Sequence, residues 1–414
     1  MDVFRNFAPD FAVIHYMKFI TRHTAIAFIS LIFGDLVVVG QTPGTTADSV
    51  PAVAPAVPAD TVPPRKKGLI SRIISYFDDS NKPPSQKKFD ISFLGGPSYS
   101  SSTNFEIAVI AAGLYKSRYD SLTPRSNISI FTEVSVIGMF NVGVRGSHIF
   151  PGDHMRINYD GNFTRFPSYF WGIGFDSERN DDNKGKYTLF ESAIKAEFIW
   201  KLGRNVFLGP AFTFNYSQAG DVRKPELWRG ERLKQLNYGA GLVFSLDTRD
   251  DAENPYKGLH FQLSNRYYPT FLGNRRYFYT GEVTLGIYHR FWESGVWALQ
   301  AHGAISGKDT PWSMLPTIDA SGAVRGYYEG RYRDRNEADI VLELRQKVWR
   351  RNGIVLWGGV AAVFDHPSEI TGRRLLPTYG IGYRWEFKKR VNVRVDFGIG
   401  RHSTAFNVSI NEAF

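Results

Sequence analysis

The chain of 414 residues has no cysteine, which removes disulfide frameworks and thiolate metal sites from consideration. It also lacks an uninterrupted apolar run of about 20 residues near its start. The stretch from Thr24 to Phe33 is broken by Gly34 and Asp35 before Leu36 to Gly40, too short for a helical span. There is no Gly-x-Ser-x-Gly elbow and no Ser/His pair with a third orienting group. His289, His302 and His402 stand singly in strand or turn patterns, the usual placement of structural or solvent-facing histidines. An enzyme is therefore not expected, nor a metal site, nor a cofactor. The net charge of +10 comes without a dense basic tract interleaved with stacking aromatics, so no nucleic-acid partner is expected. From about Phe89 onward no long amphipathic helix pattern occurs.

What is present begins with export. Met17, Lys18 and Arg22 precede the short apolar run, and small residues follow near Gly40. Residues 1–40 read as a signal peptide, with Met17 as an alternative start and cleavage near Gly40 and Gln41. Residues 41–64, rich in proline and alanine, cannot bury a core and read as an extended linker. Residues 65–88 read as a basic amphipathic helix and a further linker. Leu69, Ile70, Ile73, Ile74 and Phe77 form one apolar stripe after Arg65, Lys66 and Lys67. Such a helix would lie on the inner leaflet, plug a pore or cap the following domain.

Residues 89–414 alternate with period two in segments of about 10 residues. Ile340, Leu342 and Leu344 alternate with Asp339, Val341, Glu343 and Arg345; Val391, Val393, Val395 and Phe397 alternate with Asn392, Arg394 and Asp396. One face is apolar and the other carries charge. Tight turns, such as Pro151-Gly152-Asp153 and Arg351-Asn352-Gly353, take turns with longer loops at about 166–185, 219–235, 307–334 and 365–375. This pattern predicts an all-β, 16-stranded antiparallel transmembrane barrel with tight turns at one mouth and long loops at the other. Strands are expected at 89–98, 104–115, 154–165 and 186–201 in the first half and at 335–349, 353–364, 376–388, 391–401 and 404–414 near the end. The last strand, with Phe406, Val408, Ile410 and Phe414 on one face, resembles the C-terminal insertion signal of such barrels.

Three motifs resemble the barrel of the bacterial surface antigen superfamily, the BamA/TamA-like outer-membrane assembly and translocation proteins. Asp247, Arg249, Asp250, Asn254, Pro255 and Gly258 resemble the periplasmic turn before that family's ninth strand. Val324, Arg325, Gly326 and Tyr327, leading to Asn336, resemble the signature of its sixth extracellular loop. Gly398 to Phe414 resembles its final hairpin. The resemblance implies a long sixth loop folded into the lumen, with Arg325 docked on Glu343 and with Asp339 as a further acid. On the next strand Gly358 stands where the family's second acid would fall, so either the dock is incomplete or a different acid substitutes. Members carry periplasmic POTRA modules, and residues 41–88 leave too little chain for one of ordinary domain size.

The resemblance implies an integral protein of the bacterial outer membrane, POTRA-less, that assists outer-membrane protein assembly or translocates polypeptide or lipid. Its partners would be outer-membrane lipid and periplasmic or outer-membrane proteins bound through residues 41–88. The alternative is a plugged channel or structural barrel without insertase activity.

Overall fold

The computed structural model describes residues 89–116 and 123–414. The signal peptide, linker and helix expected over residues 1–88 lie outside the described residues. Sixteen antiparallel strands close into one barrel. The first eight are β1 (Phe89–Ser100), β2 (Asn104–Tyr115), β3 (Ser126–Ser135), β4 (Phe140–Ile149), β5 (Met155–Phe170), β6 (Gly185–Gly203), β7 (Val206–Gly220) and β8 (Lys234–Asp247). The second eight are β9 (Gly258–Tyr268), β10 (Phe278–Trp292), β11 (Gly295–Ser306), β12 (Asn336–Trp349), β13 (Asn352–Phe364), β14 (Leu376–Lys388), β15 (Val391–Gly400) and β16 (Ser403–Ile410). One short helix, α1 (Phe175–Arg179), sits in the loop between β5 and β6.

The faces are inverted relative to a water-soluble sheet. On β12, Ile340 and Leu342 are exposed, while Glu337, Val341 and Glu343 are buried. Outward apolar residues recur around the wall, among them Ile130, Ile194, Leu242, Leu356 and Ile381. Such a surface is stable against hydrocarbon, and ring closure satisfies the backbone donors that hydrocarbon cannot.

Two expected strand limits differ by more than two residues. The strand expected over 154–165 runs on to Phe170, paired residue for residue with β6 out to Phe170↔Gly185. β16 was expected to reach 414 and stops at Ile410. Asn411 takes φ +70, a left-handed conformation that breaks the extended ladder.

Closure is uneven. β15 pairs with β16 over eight positions, and β1 pairs with β2 along its full length. Among the described residues, β1 and β16 pair at Tyr99↔Val408 and Ser100↔Asn407. Two supplements lie beside this seam: the Phe406 N–H donates to Ser101 Oγ at 3.1 Å, and the Tyr99 and Phe406 rings stand 5.7 Å apart.

The lumen holds a core of its own. The segment 307–335, between β11 and β12, enters the barrel. There Ile318, Ala320, Ala323, Val324, Tyr327 and Tyr332 pack against Val341, Val355, Trp357, Ala361, Val363 and Leu376 of the wall. Full burial of side chains of this size contributes about 1.5–3 kcal/mol each, which explains why a polar-rich loop stays inside.

Candidate functional site: a loop latched to the barrel wall

Arg325 is the centre of the site, with a side chain fully removed from solvent. Its Nη2 donates to Glu343 Oε1 on β12, and its Nη1 donates to Asp396 Oδ2 on β15 at 2.9 Å. The guanidinium carbon lies 3.7 Å from the ring centroid of Trp357 on β13. A planar cation with two carboxylates at its edge and an aromatic face beneath it is held in orientation as well as position. Glu343 and Asp396 also serve neighbouring arginines, joined by a third acid, Glu412. Glu343 Oε2 accepts from Arg345 at 2.9 Å, Asp396 Oδ1 accepts from Arg384 at 2.5 Å, and Glu412 Oε2 accepts from Arg384 at 2.8 Å. Buried charges of both signs are thus interleaved, as the low-dielectric interior demands.

Glycine lets the loop backbone lie flat on the wall. Gly326 has φ +114, and a Cβ there would meet Gly400 N and Ile399 C, each at 2.7 Å. A Cβ on Gly398 would meet Gly326 N at 2.7 Å and Arg325 C at 2.8 Å; one on Gly400 would strike the Tyr327 ring at 2.5 Å. Where the tip crosses β15, the wall therefore has no side chains to hold it off. Further bonds fix it. The Tyr327 hydroxyl donates to Pro377 O at 2.6 Å and accepts from Arg401 N at 2.9 Å, and Ser403 Oγ donates to Gly326 O at 2.6 Å. Val324 is fully buried in the lumen core.

The returning half of the loop has a second anchor near α1. The Arg333 N–H donates to Glu178 Oε1 at 2.6 Å, and Arg331 Nε donates to Glu178 O at 3.1 Å. Burial pushes the Glu178 carboxyl well above the usual carboxylate range, against the pull of Arg333. Phe170, Tyr187, Trp228 and Trp312 form an aromatic cluster beside it.

One sequence expectation needs correction here, and one open alternative is decided. Asp339 is not part of the latch. It lies four residues before Glu343 on β12, roughly 13 Å along the strand, and faces His302 on β11 instead. Gly358 could not have supplied the second acid, because it points outward into open space and Trp357 is the lumen-facing residue of β13. Asp396 fills that role from β15. It was visible as an inward-facing acid in the alternation of β15, yet nothing local tied it to Arg325.

The C-terminal residues also part company. Phe406 faces outward, and Val408 pairs with both Val395 and Tyr99. Ile410 pairs with Val393 at the end of β16. Phe414, expected on their face, turns into the barrel once Asn411 has left the ladder. Its backbone oxygen accepts from Arg345 Nη2 at 2.7 Å, its ring lies 5.3 Å from that guanidinium, and it packs against the lumen core.

The turn between β8 and β9 is a compact polar knot. Asp247 holds Arg249 through both carboxylate oxygens, at 3.0 and 2.7 Å. Asp250 Oδ1 accepts from the N–H groups of Tyr256 and Lys257. Its Oδ2 accepts at 2.8 Å from Arg390, which belongs to the turn between β14 and β15. Asn254 and Pro255 are buried, and Asn254 O accepts from Arg390 Nη1 at 2.9 Å. Gly258 takes φ +114, and a Cβ there would meet Thr248 O at 2.4 Å. Burial of Asp250 is outweighed by Arg390 and the two N–H groups, which hold its carboxyl at about 2. One tight-turn motif thereby ties together two distant parts of the same barrel mouth.

Against solved structures, this architecture matches BamA from Haemophilus ducreyi lacking POTRA domains 1–3, with a TM-score of 0.51 and 11% identity over 78% of this chain and 70% of that one. It matches CdiB from Escherichia coli with a TM-score of 0.53 and 11% identity over 82% and 69% of the two chains. For CdiB from Acinetobacter baumannii the TM-score is 0.52 and the identity 12%, over 80% and 61%. The fold is that of the BamA and CdiB barrels. At such identities the likeness is one of fold. No protein-family model matches the chain, and no curated protein sequence matches it.

Proposed function

We propose that this BamA-like barrel is an integral outer-membrane protein that assists the assembly or translocation of polypeptide or lipid at the seam between β1 and β16. The observation that carries the reading is the seam itself, paired at two positions where β1 offers twelve residues. Among the described residues, no further pairing between β1 and β16 is present. A sparsely paired seam can open to template an incoming strand, because in a bilayer backbone groups favour a partner strongly. The resemblance of the 324–327 and 247–258 motifs to BamA/TamA-like proteins supports the same reading, as does the fold shared with BamA and CdiB. In this scheme the latched loop keeps the lumen filled while the seam works.

The test uses the absence of native cysteine. Cysteines at the directly paired positions Ser100 and Asn407 stand within disulfide reach of each other. Cells depleted of the wild-type protein and supplied with the Ser100→Cys/Asn407→Cys chain are expected to lose outer-membrane proteins from their proteome under oxidising conditions and recover them with reductant. A locked barrel that maintains the proteome as well as the wild type would sink the seam mechanism.

The filled lumen favours a second reading, a plugged channel. In planar bilayers the assembly reading expects no steady conductance from the wild type. Conductance appearing only on deletion of 307–335 would identify the loop as a plug, and steady wild-type conductance would favour a channel.

A further inference from the structure

Away from the latch, β10, β11 and β12 bring together a cluster with a different chemistry. His302 on β11 pairs directly with Asp339 on β12, and Glu337 lies two residues earlier on the same inward face. The His302 Nδ1 atom is 2.8 Å from Glu337 Oε2 and 3.6 Å from Asp339 Oδ2. On the other side of the ring, Nε2 is 3.3 Å from Glu282 Oε1 of β10. The isolated histidine of the sequence pattern is therefore the centre of a four-residue constellation, formed where three neighbouring strands present inward residues at one height.

Its charge does not balance. The side chains of Glu337 and Asp339 have 0% and 1% of their surface exposed. Among the described residues neither pairs with a lysine or arginine. Glu337 Oε1 and both carboxylate oxygens of Asp339 have no hydrogen-bond partner. A protonated His302 answers one of the two buried carboxylates and leaves the second short of a cation. Buried carboxylates in that condition are paired, neutralised or bound to a metal.

We propose that His302, Glu337 and Asp339 form a binding site for a divalent transition cation of the Zn²⁺ class in the barrel wall, with Glu282 orienting the histidine. The donors lie within 4.8 Å of one another. Tetrahedral bonding to nitrogen and oxygen at about 2.0–2.2 Å sets ligand atoms roughly 3.3 Å apart, and the 2.8 and 3.6 Å separations bracket that spacing. The outer contact is informative too. A ligating imidazole commonly donates its other N–H to a carboxylate, which fixes the tautomer and raises the basicity of the ligating nitrogen. With Nε2–H directed at Glu282, the Nδ1 lone pair faces the two acids. A dication displaces the proton otherwise shared between Nδ1 and Glu337, neutralises both carboxylates, and leaves a coordination position for water from the lumen. One imidazole with two carboxylates suits Zn²⁺ or its first-row neighbours better than Mg²⁺ or Ca²⁺, which prefer oxygen alone. Glu337 is the second residue of β12, directly after the loop. The cation would clamp the base of the loop at β10–β12, independently of Arg325 at its tip.

The test takes the full chain folded in detergent, stripped with chelator, and titrates it with Co²⁺ followed by visible absorption, then with competing Zn²⁺. One equivalent is expected to bind, with Zn²⁺ displacing Co²⁺. His302→Gln and Asp339→Asn are each expected to weaken binding by at least tenfold, and Glu282→Gln by about 10- to 100-fold, as for an outer-shell partner. Glu293→Gln, in the exposed β10–β11 turn, should bind as the wild type does. Shifted gel mobility of the unheated protein shows which variants are folded. Failure of the wild type to take up Co²⁺ or Zn²⁺ at about millimolar concentration would overturn the site and leave an ion pair in its place, whatever the variants do. Unchanged affinity in a folded His302→Gln variant would equally exclude the imidazole as a ligand.

Discussion

Removing the latch cation is the perturbation with the clearest expected outcome. Arg325→Ala deletes two charge-assisted hydrogen bonds, to Glu343 and Asp396, and the stack on Trp357. Taking one partner from a buried ion pair generally destabilises by about 3–5 kcal/mol, because the other charge is left uncompensated. Here compensation is partial. Glu343 keeps Arg345, and Asp396 keeps Arg384. The remaining loss is about 2–3 kcal/mol, and it falls on the docked loop more than on the strand ladder. At 1.4 kcal/mol per factor of ten, the undocked population should rise about 30- to 150-fold. Trypsin reports this directly. Arg333 is buried in the docked loop, and cleavage there should accelerate by a similar factor. The unheated variant should also lose its shifted gel mobility at a lower temperature. Arg325→Lys, which keeps the charge but not the planar fork, should fall between the two. If Arg325→Ala matches the wild type in both cleavage and heat resistance, the latch does not hold the loop.

Two further outcomes probe neighbouring features. Gly398→Val should undock the loop through sterics alone, by about 1–3 kcal/mol, since its Cβ would lie 2.7 Å from Gly326 N; accelerated trypsin cleavage with unchanged far-UV circular dichroism is expected, and a rate equal to wild type would refute the close approach. Asp250→Asn tests the turn knot by pH. The Asp250 carboxyl is held at about 2, below its ordinary value near 3.9, so its stabilisation is complete above about pH 4 and disappears as pH falls toward 2. Melting temperatures of wild type and variant should differ at neutral pH and converge near pH 2, and a gap of constant size would contradict the role assigned to its ionised form.

The sequence alone carried a good deal. Period-two alternation with apolar residues on one face is a local property of each strand, so the strand number, the outward belt and the inward placement of Glu343, Arg345, Arg384 and Arg394 were all legible from it. Gly326 and Gly258 stand within the two motifs quoted for their resemblance, and both take positive φ. Side-chain facing is a matter of counting in twos, and one residue of register moves a side chain from lumen to lipid.

What tertiary structure decided is which inward faces meet. Asp396 reaches Arg325 because the loop crosses the lumen to β15, seventy-one residues along the chain, and no periodicity encodes that path. Phe414 turns inward because a single left-handed residue, Asn411, ends β16 early. His302 meets Glu337 and Asp339 only through the β11–β12 register. Local pattern determines the direction of each side chain, since it depends on one strand's own geometry. The partner it finds depends on closure of the ring and on the path of the loop within it, and these are set by all sixteen strands together.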